Sequence, residues 1–235
     1  MSTITPMSTI NWNYPPPRTG VFGLLDRFVG PGATRVELAL QFGAPLVAMI
    51  AAALHGATVA PDWGVLQYIV SVVLAFDILG GIITNATSSA KRWYHRPGRT
   101  ARDHLGFVIV HLVHLSVVSW VFEGGQLGWA ITPGGYLLVA AAIIVGVPRY
   151  LQRPVAYTSM GGGLLLAIYA VPAPLGLEWF LPLFYLKLLV SHLPVEEPYR
   201  PTANNHGTAL PTPGTVSPQD KTAGKRIQTA RDTFA

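Results

Sequence analysis

Four ionisable residues, Asp77, His111, His114 and Lys187, stand inside long apolar runs of this 235-residue chain. A charged group at the centre of a bilayer costs roughly 2.5–3.5 kcal/mol on the insertion scale, so residues kept there mark a site or a pairing. Their depths agree. Asp77 lies about nine residues before the inner end of its run, Lys187 about nine before Glu196, and His111 about seven beyond His104. At ~1.5 Å per residue, all three fall about 10–14 Å from the same boundary. Asn85, His104, His192 and Glu196 form a second tier nearer that boundary.

These residue types support three chemistries. One divalent metal ion on His111 and His114, with His192 or Asp77 as a further ligand, would lower the pKa of a bound water toward ~7. Asp77 or Glu196 would serve as general base. The catalytic set is then Asp77, Glu196 and Lys187, with Asn85, Thr84 and His104 binding substrate, and the protein is a metal-dependent enzyme acting on a lipid or apolar substrate. Alternatively, Asp77 and Lys187 exchange protons while His111 and His114 relay them, which describes a small proton-coupled transporter. In the third reading Asp77 and Lys187 form an interhelical ion pair in a structural membrane protein, and the histidines are hydrogen-bonded packing residues. Glu196 and Glu197 beside Pro198 also fit a solvated helix end, and the basic run Lys91 to Arg96 fits a headgroup anchor.

Helices must carry these groups. Positions three, four and seven apart share a helix face, so His104, Phe107, His111 and His114 make one stripe. Asp77, Gly81, Thr84 and Ser88 share another, with Asn85 at its edge. Tyr185, Leu189, His192 and Glu196 make a third, with Lys187 to the side. Six apolar stretches, roughly 37–56, 62–85, 104–122, 129–147, 155–172 and 179–194, contain these stripes. Each is near the ~20 residues a helix needs to cross the hydrocarbon. The expected fold is an all-α polytopic integral membrane protein with six transmembrane helices.

Charge orients it. Arg18, Arg27 and Arg35 precede the first stretch, Lys91 to Arg102 separate the second and third, and Arg149 and Arg153 separate the fourth and fifth. Turns 57–61, 123–128 and 173–178 carry no Lys or Arg. The positive-inside rule then sets both termini in the cytoplasm of a plasma or inner membrane. Trp63, Trp120, Trp129 and Trp179 mark the outer interface, and Trp93, Tyr94, Tyr150 and Tyr157 the inner one.

Half the residues are hydrophobic and 11% are charged, too few charges to cover a soluble domain. The net charge of +5 sits where anionic lipid headgroups are, so the expected partner is the bilayer and not nucleic acid. With no cysteine, disulfides, thiolate metal sites and thiol catalysis are excluded. Residues 1–36 read as a cytoplasmic N-terminal tail with an interfacial helix at 21–29. Residues 37–195 make the bundle, and the Pro-, Thr- and Asn-rich segment 196–235 reads as a disordered cytoplasmic tail. Gly161 to Gly163 suit close helix packing. Pro45, Pro133 and Pro182 are expected to open their helices locally.

Overall fold

The computed structural model describes residues 8–201. Residues 1–7, with the first copy of the repeated Met-Ser-Thr-Ile start, and most of the tail expected to be disordered lie outside the described residues. Residues Ile10–Arg200 form one compact unit.

Each of the six apolar stretches is helical. After α1 (Gly20–Val29) come α2 (Arg35–Val59) and α3 (Val65–Ala86), then the short α4 (Ser88–Tyr94). The third stretch is α5 (Ala101–Val110) running into α6 (Leu112–Phe122). Helices α7 (Gly128–Gly146) and α8 (Arg149–Tyr169) follow, and α9 (Phe180–Tyr185) passes into a π-helical segment, Leu186–His192. Short extended strands, β1 (Ser8–Ile10) and β2 (Tyr199–Pro201), precede and follow these helices along the chain.

Among the described residues four helices are long and apolar enough to cross a membrane: α2, α3, the continuous span Ala101–Phe122, and α7. Helix α8 has 21 residues but opens on Arg149 and Arg153, and the last helix, Phe180–His192, is shorter. Large apolar side chains point outward on every long helix, among them Val47 and Ile50 on α2, Val73 on α3, Val110 on α5, Ile143 on α7 and Ile168 on α8. An apolar exterior of that extent suits hydrocarbon and not water.

The helix starts are set locally. Thr34 accepts from the Glu37 amide at 3.1 Å while Glu37 Oε2 accepts from the Thr34 amide at 2.7 Å, a capping box that opens α2. The other Glu37 oxygen accepts from Ser89 N at 3.0 Å, tying α2 to α4. Gly30, at φ 88, lets the α1–α2 turn lie against the Ser89–Ala90 backbone, where a Cβ would collide.

The last helix is the axis of the bundle. Phe180, Leu181, Phe184, Tyr185, Leu188 and Leu189 are all buried against α3, α6, α7 and α8. A helix apolar on every side belongs in such an interior. On α8, two of the three glycines expected to admit a neighbour do so: Gly162 and Gly163 lie against Tyr136 and Tyr185, while Gly161 faces open space. The connections alternate between two ends. At one end the Trp63 ring packs on Phe122 (5.2 Å) and Gly176, and His55 Nε2 meets Glu178 at 2.9 Å. At the other, residues of the 95–101 loop, Arg149 and Val195 line one cavity.

Candidate functional site

Two departures from α-helical geometry build the site. At His111 the chain tightens. His111 N reaches Val108 O at 3.1 Å, and His114 N reaches His111 O at 3.0 Å, both three residues back. Side chains three apart eclipse in such a turn, and the His111 and His114 rings stack with an interplanar angle of 4° and centroids 5.1 Å apart. Opposite, the helix widens at Leu186–His192. In an α-helix, positions 187 and 192 would diverge by ~140°. The π-helical i to i+5 repeat brings them to one face, so Lys187 and His192 both address α3.

The inner tier centres on Asp77. Its Oδ2 accepts from Lys187 Nζ at 2.6 Å and meets His114 Nε2 at 2.8 Å. Lys187 is 2% exposed, whereas the Asp77 side chain is 44% exposed. Gly81, one turn along α3, clears the space the Lys187 stem occupies; a Cβ there would strike Cε and Cδ. His114 Nδ1 faces the His111 carbonyl at 3.0 Å, and His111 Nδ1 the Phe107 carbonyl at 2.7 Å. Both His114 nitrogens therefore face acceptors.

The outer tier is a hydrogen-bonded relay. Asn85 Nδ2 donates to Gly81 O at 2.8 Å, which turns Oδ1 toward His192. His192 Nδ1 donates to that oxygen at 3.0 Å, leaving Nε2 to accept from His104 Nδ1 at 3.4 Å. His95 stacks on His104 at 4.5 Å, and its Nε2 donates to His192 O at 3.0 Å. The Phe107 ring joins the tiers, stacked on His192 at 3.9 Å and tilted on His111 at 4.2 Å. Five histidines thus form a column from the 95–101 loop to the Asp77–Lys187 pair.

At the mouth of the column lies a cavity of about 620 Å³, bounded by Arg96, Arg99, Arg149, His95, His104 and Gln152. Burial, with the nearby Lys91 and His104 charges, pushes the His95 pKa down to about 3, so this ring is neutral. Its Nδ1 is buried with no hydrogen-bond partner.

Several expected site residues are held elsewhere. Thr84 is engaged by α2, donating to Gln41 Oε1 at 3.2 Å in a buried network that ties α2 to α3. Glu196 stands apart from both tiers, 3.8 Å from Lys91 Nζ and 3.7 Å from Arg153 Nε. His192 is divided from His111 and His114 by Phe107. Among the described residues no three His, Asp or Glu side chains stand close enough to hold one ion.

Other participants escape sequence reasoning. Lys91 is no headgroup anchor: at 2% exposure its ammonium donates to Ser191 O at 2.7 Å and Pro194 O at 2.9 Å, fastening the end of the last helix. Burial, opposed by Glu196, pushes its pKa down to about 8. His95 belongs to the column, and the one available sequence signal is its position four residues after Lys91. At the opposite end, His55 and Glu178 border an apolar cavity of about 660 Å³ between α2, α3 and the last helix. Comparison with family models, curated proteins and solved structures finds no match to this chain, so its function is argued from this geometry.

Proposed function

We propose that the chain is a six-span carrier of the plasma or inner membrane that couples passage of a polar solute to a proton held at Asp77. Both termini are cytoplasmic in this reading, and the Arg-lined cavity faces the cytoplasm. The observation that carries it is the sharing of Asp77 Oδ2 by Lys187 Nζ and His114 Nε2, with the other His114 nitrogen already committed to a carbonyl. A carboxylate between an amine and an imidazole changes partners when a proton arrives. Protonation releases Lys187, and the freed cation favours a different helix arrangement. The outer histidines give a hydrogen-bonded route inward from the cytoplasmic mouth as far as His192, and the Phe107 ring lies between it and His111. Helix α1 lies in the headgroup layer, its outward Val21, Phe22, Leu24 and Phe28 in lipid and Arg18 tied to Asp26 at 2.7 Å. Anionic headgroups and the bilayer are its partners; nucleic acid is not.

The metal-dependent lipid enzyme is the second reading. It keeps the neutral His95 and the column's outer histidines beside a cavity at headgroup level, where they serve as general bases. It is the weaker one because the nitrogens of His111 and His114 nearest the backbone already face carbonyls, and His192 faces another cluster.

Proteoliposomes carrying a pH-sensitive dye test the carrier under an imposed potential, with panels of polar solutes outside. Solute-stimulated proton flux above empty liposomes is expected in wild type, with loss of at least tenfold in Asp77→Asn and His114→Gln. Flux that ignores both substitutions removes the proposal. Elemental analysis after purification without chelator checks the second reading: near one metal per chain, lost in His111→Ala and Asp77→Asn, would favour the enzyme.

A further inference from the structure

The mouth of the histidine column has a chemistry that proton transfer does not require. Arg96, Arg99 and Arg149 border the same cavity, and no acidic side chain lines it. Two of the three are already engaged. Arg96 stacks on the Trp93 ring at 3.8 Å, and Arg99 pairs with Asp103 at 2.9 Å. Arg149 is exposed and forms no ion pair among the described residues. It opens α8, whose N-cap, Pro148, supplies no side-chain hydrogen bond to the first turn. Arg149 and Gln152, both at the start of α8, line the same cavity.

The neutral groups refine the ligand. Gln152 Oε1 accepts from Val195 N at 3.2 Å, which leaves its amide nitrogen as a donor. His95 borders the cavity with Nε2 committed to the His192 carbonyl and Nδ1 buried. A ligand matching this lining has an anionic head for the arginines and at least one hydroxyl to accept from the Gln152 amide. A volume of about 620 Å³ lies within the ~300–1,000 Å³ typical of small-molecule sites, well beyond a bare ion.

We propose that this cavity binds a phosphate monoester on a small hydroxylated body, with Arg149 as the principal phosphate contact. A soluble glycerol phosphate and the headgroup of a phosphomonoester lipid share that chemistry. As cargo the anion rests on the carrier reading; as a ligand it stands on the cavity alone.

The full chain in phosphatidylcholine nanodiscs, at ~0.15 M salt so that remote surface charge is screened, provides the test. Calorimetric titration with glycerol 3-phosphate reads the soluble source. Native mass spectrometry of discs doped with phosphatidic acid reads the lipid source. Saturable binding of either probe, weakened at least tenfold in Arg149→Gln and largely restored in Arg149→Lys, establishes the site and identifies its source. Absence of saturable binding by both overturns it. So does binding unchanged in an Arg149→Gln protein that melts like wild type. Saturable binding by a wild-type protein that shows no proton flux marks failure of the carrier reading alone, and proton flux without saturable binding marks failure of this site alone.

Discussion

Asp77 Oδ2 meets the Lys187 ammonium and a His114 ring nitrogen, and the carrier and structural readings differ in what cutting those contacts should do. Asp77→Asn leaves Lys187 without its anion in the bundle interior, at a cost of roughly 2.5–3.5 kcal/mol. Adding Lys187→Met removes the stranded charge at similar side-chain length, so most of that loss should return in the double variant. Thermal unfolding in detergent measures it as a double-mutant cycle. If Asp77 and Lys187 serve only to lock helices, the double variant recovers function together with stability. In the carrier reading it recovers stability and stays silent in proton flux. The joining of these residues is legible from depth: Asp77 and Lys187 lie equally far from the inner boundary, and His114 follows His111 on the stripe His104 begins. The site of Thr84 is not legible. A residue near the edge of a helical stripe faces whichever neighbour packs closer, and α2, through Gln41, packs closer than the last helix.

At the scale of elements, α3 works on two faces, and adjacent glycines show it. A Cβ on Gly80 would meet the Pro45 ring of α2 at 3.4 Å, an ordinary contact. Gly80→Ala should therefore stabilise by about 0.5–1 kcal/mol, the helical penalty of glycine relieved. A Cβ on Gly81 would strike the Lys187 stem. Gly81→Ala should destabilise by about 1–3 kcal/mol through overpacking, and it should uncouple Lys187 from Asp77. Melting of the two variants beside wild type checks the opposite signs, and equal shifts would show that α3 does not hold Lys187 as described. Helix extents are legible in the sequence because apolar runs end at Gly, Pro and charge. The two winding changes are not. Residue spacing assumes 3.6 residues per turn throughout, so Lys187 reads as lying beside the His192 stripe, and only the π-helical turn brings it into line. The tight turn at His111 equally escapes a periodicity argument, although it is what stacks the two rings. Both departures occur at the candidate site, where local preference commonly yields to function.

For the whole molecule, charge placement and helix packing are independent observations that agree. The junctions without Lys or Arg meet at the end where Trp63, Phe122, Gly176 and the His55–Glu178 pair gather. The arginine-bearing junctions meet at the other, around the cavity. Alternation of that kind requires every apolar helix to traverse the unit, including α8 and the short last helix. The last helix needs little apolar length of its own, since α3, α6, α7 and α8 enclose it and lipid is not its main neighbour. Length and hydropathy mark four crossings among the described residues, and the six-span reading adds α8 and the last helix from the basic residues at every second junction. The absence of cysteine allows a direct check. Single substitutions Gln126→Cys, in an exposed turn of one end, and Arg102→Cys, at the start of α5 on the other, each introduce one thiol. In intact cells a membrane-impermeant maleimide should label Gln126→Cys, and label Arg102→Cys only after permeabilisation. The reverse pattern would invert the molecule and open the arginine cavity outward, turning its phosphate ligand into an external one. Labelling of both from the same side would mean that the span Ala101–Phe122 does not cross. The histidine column would then lie along the membrane surface, where it could not carry a proton through.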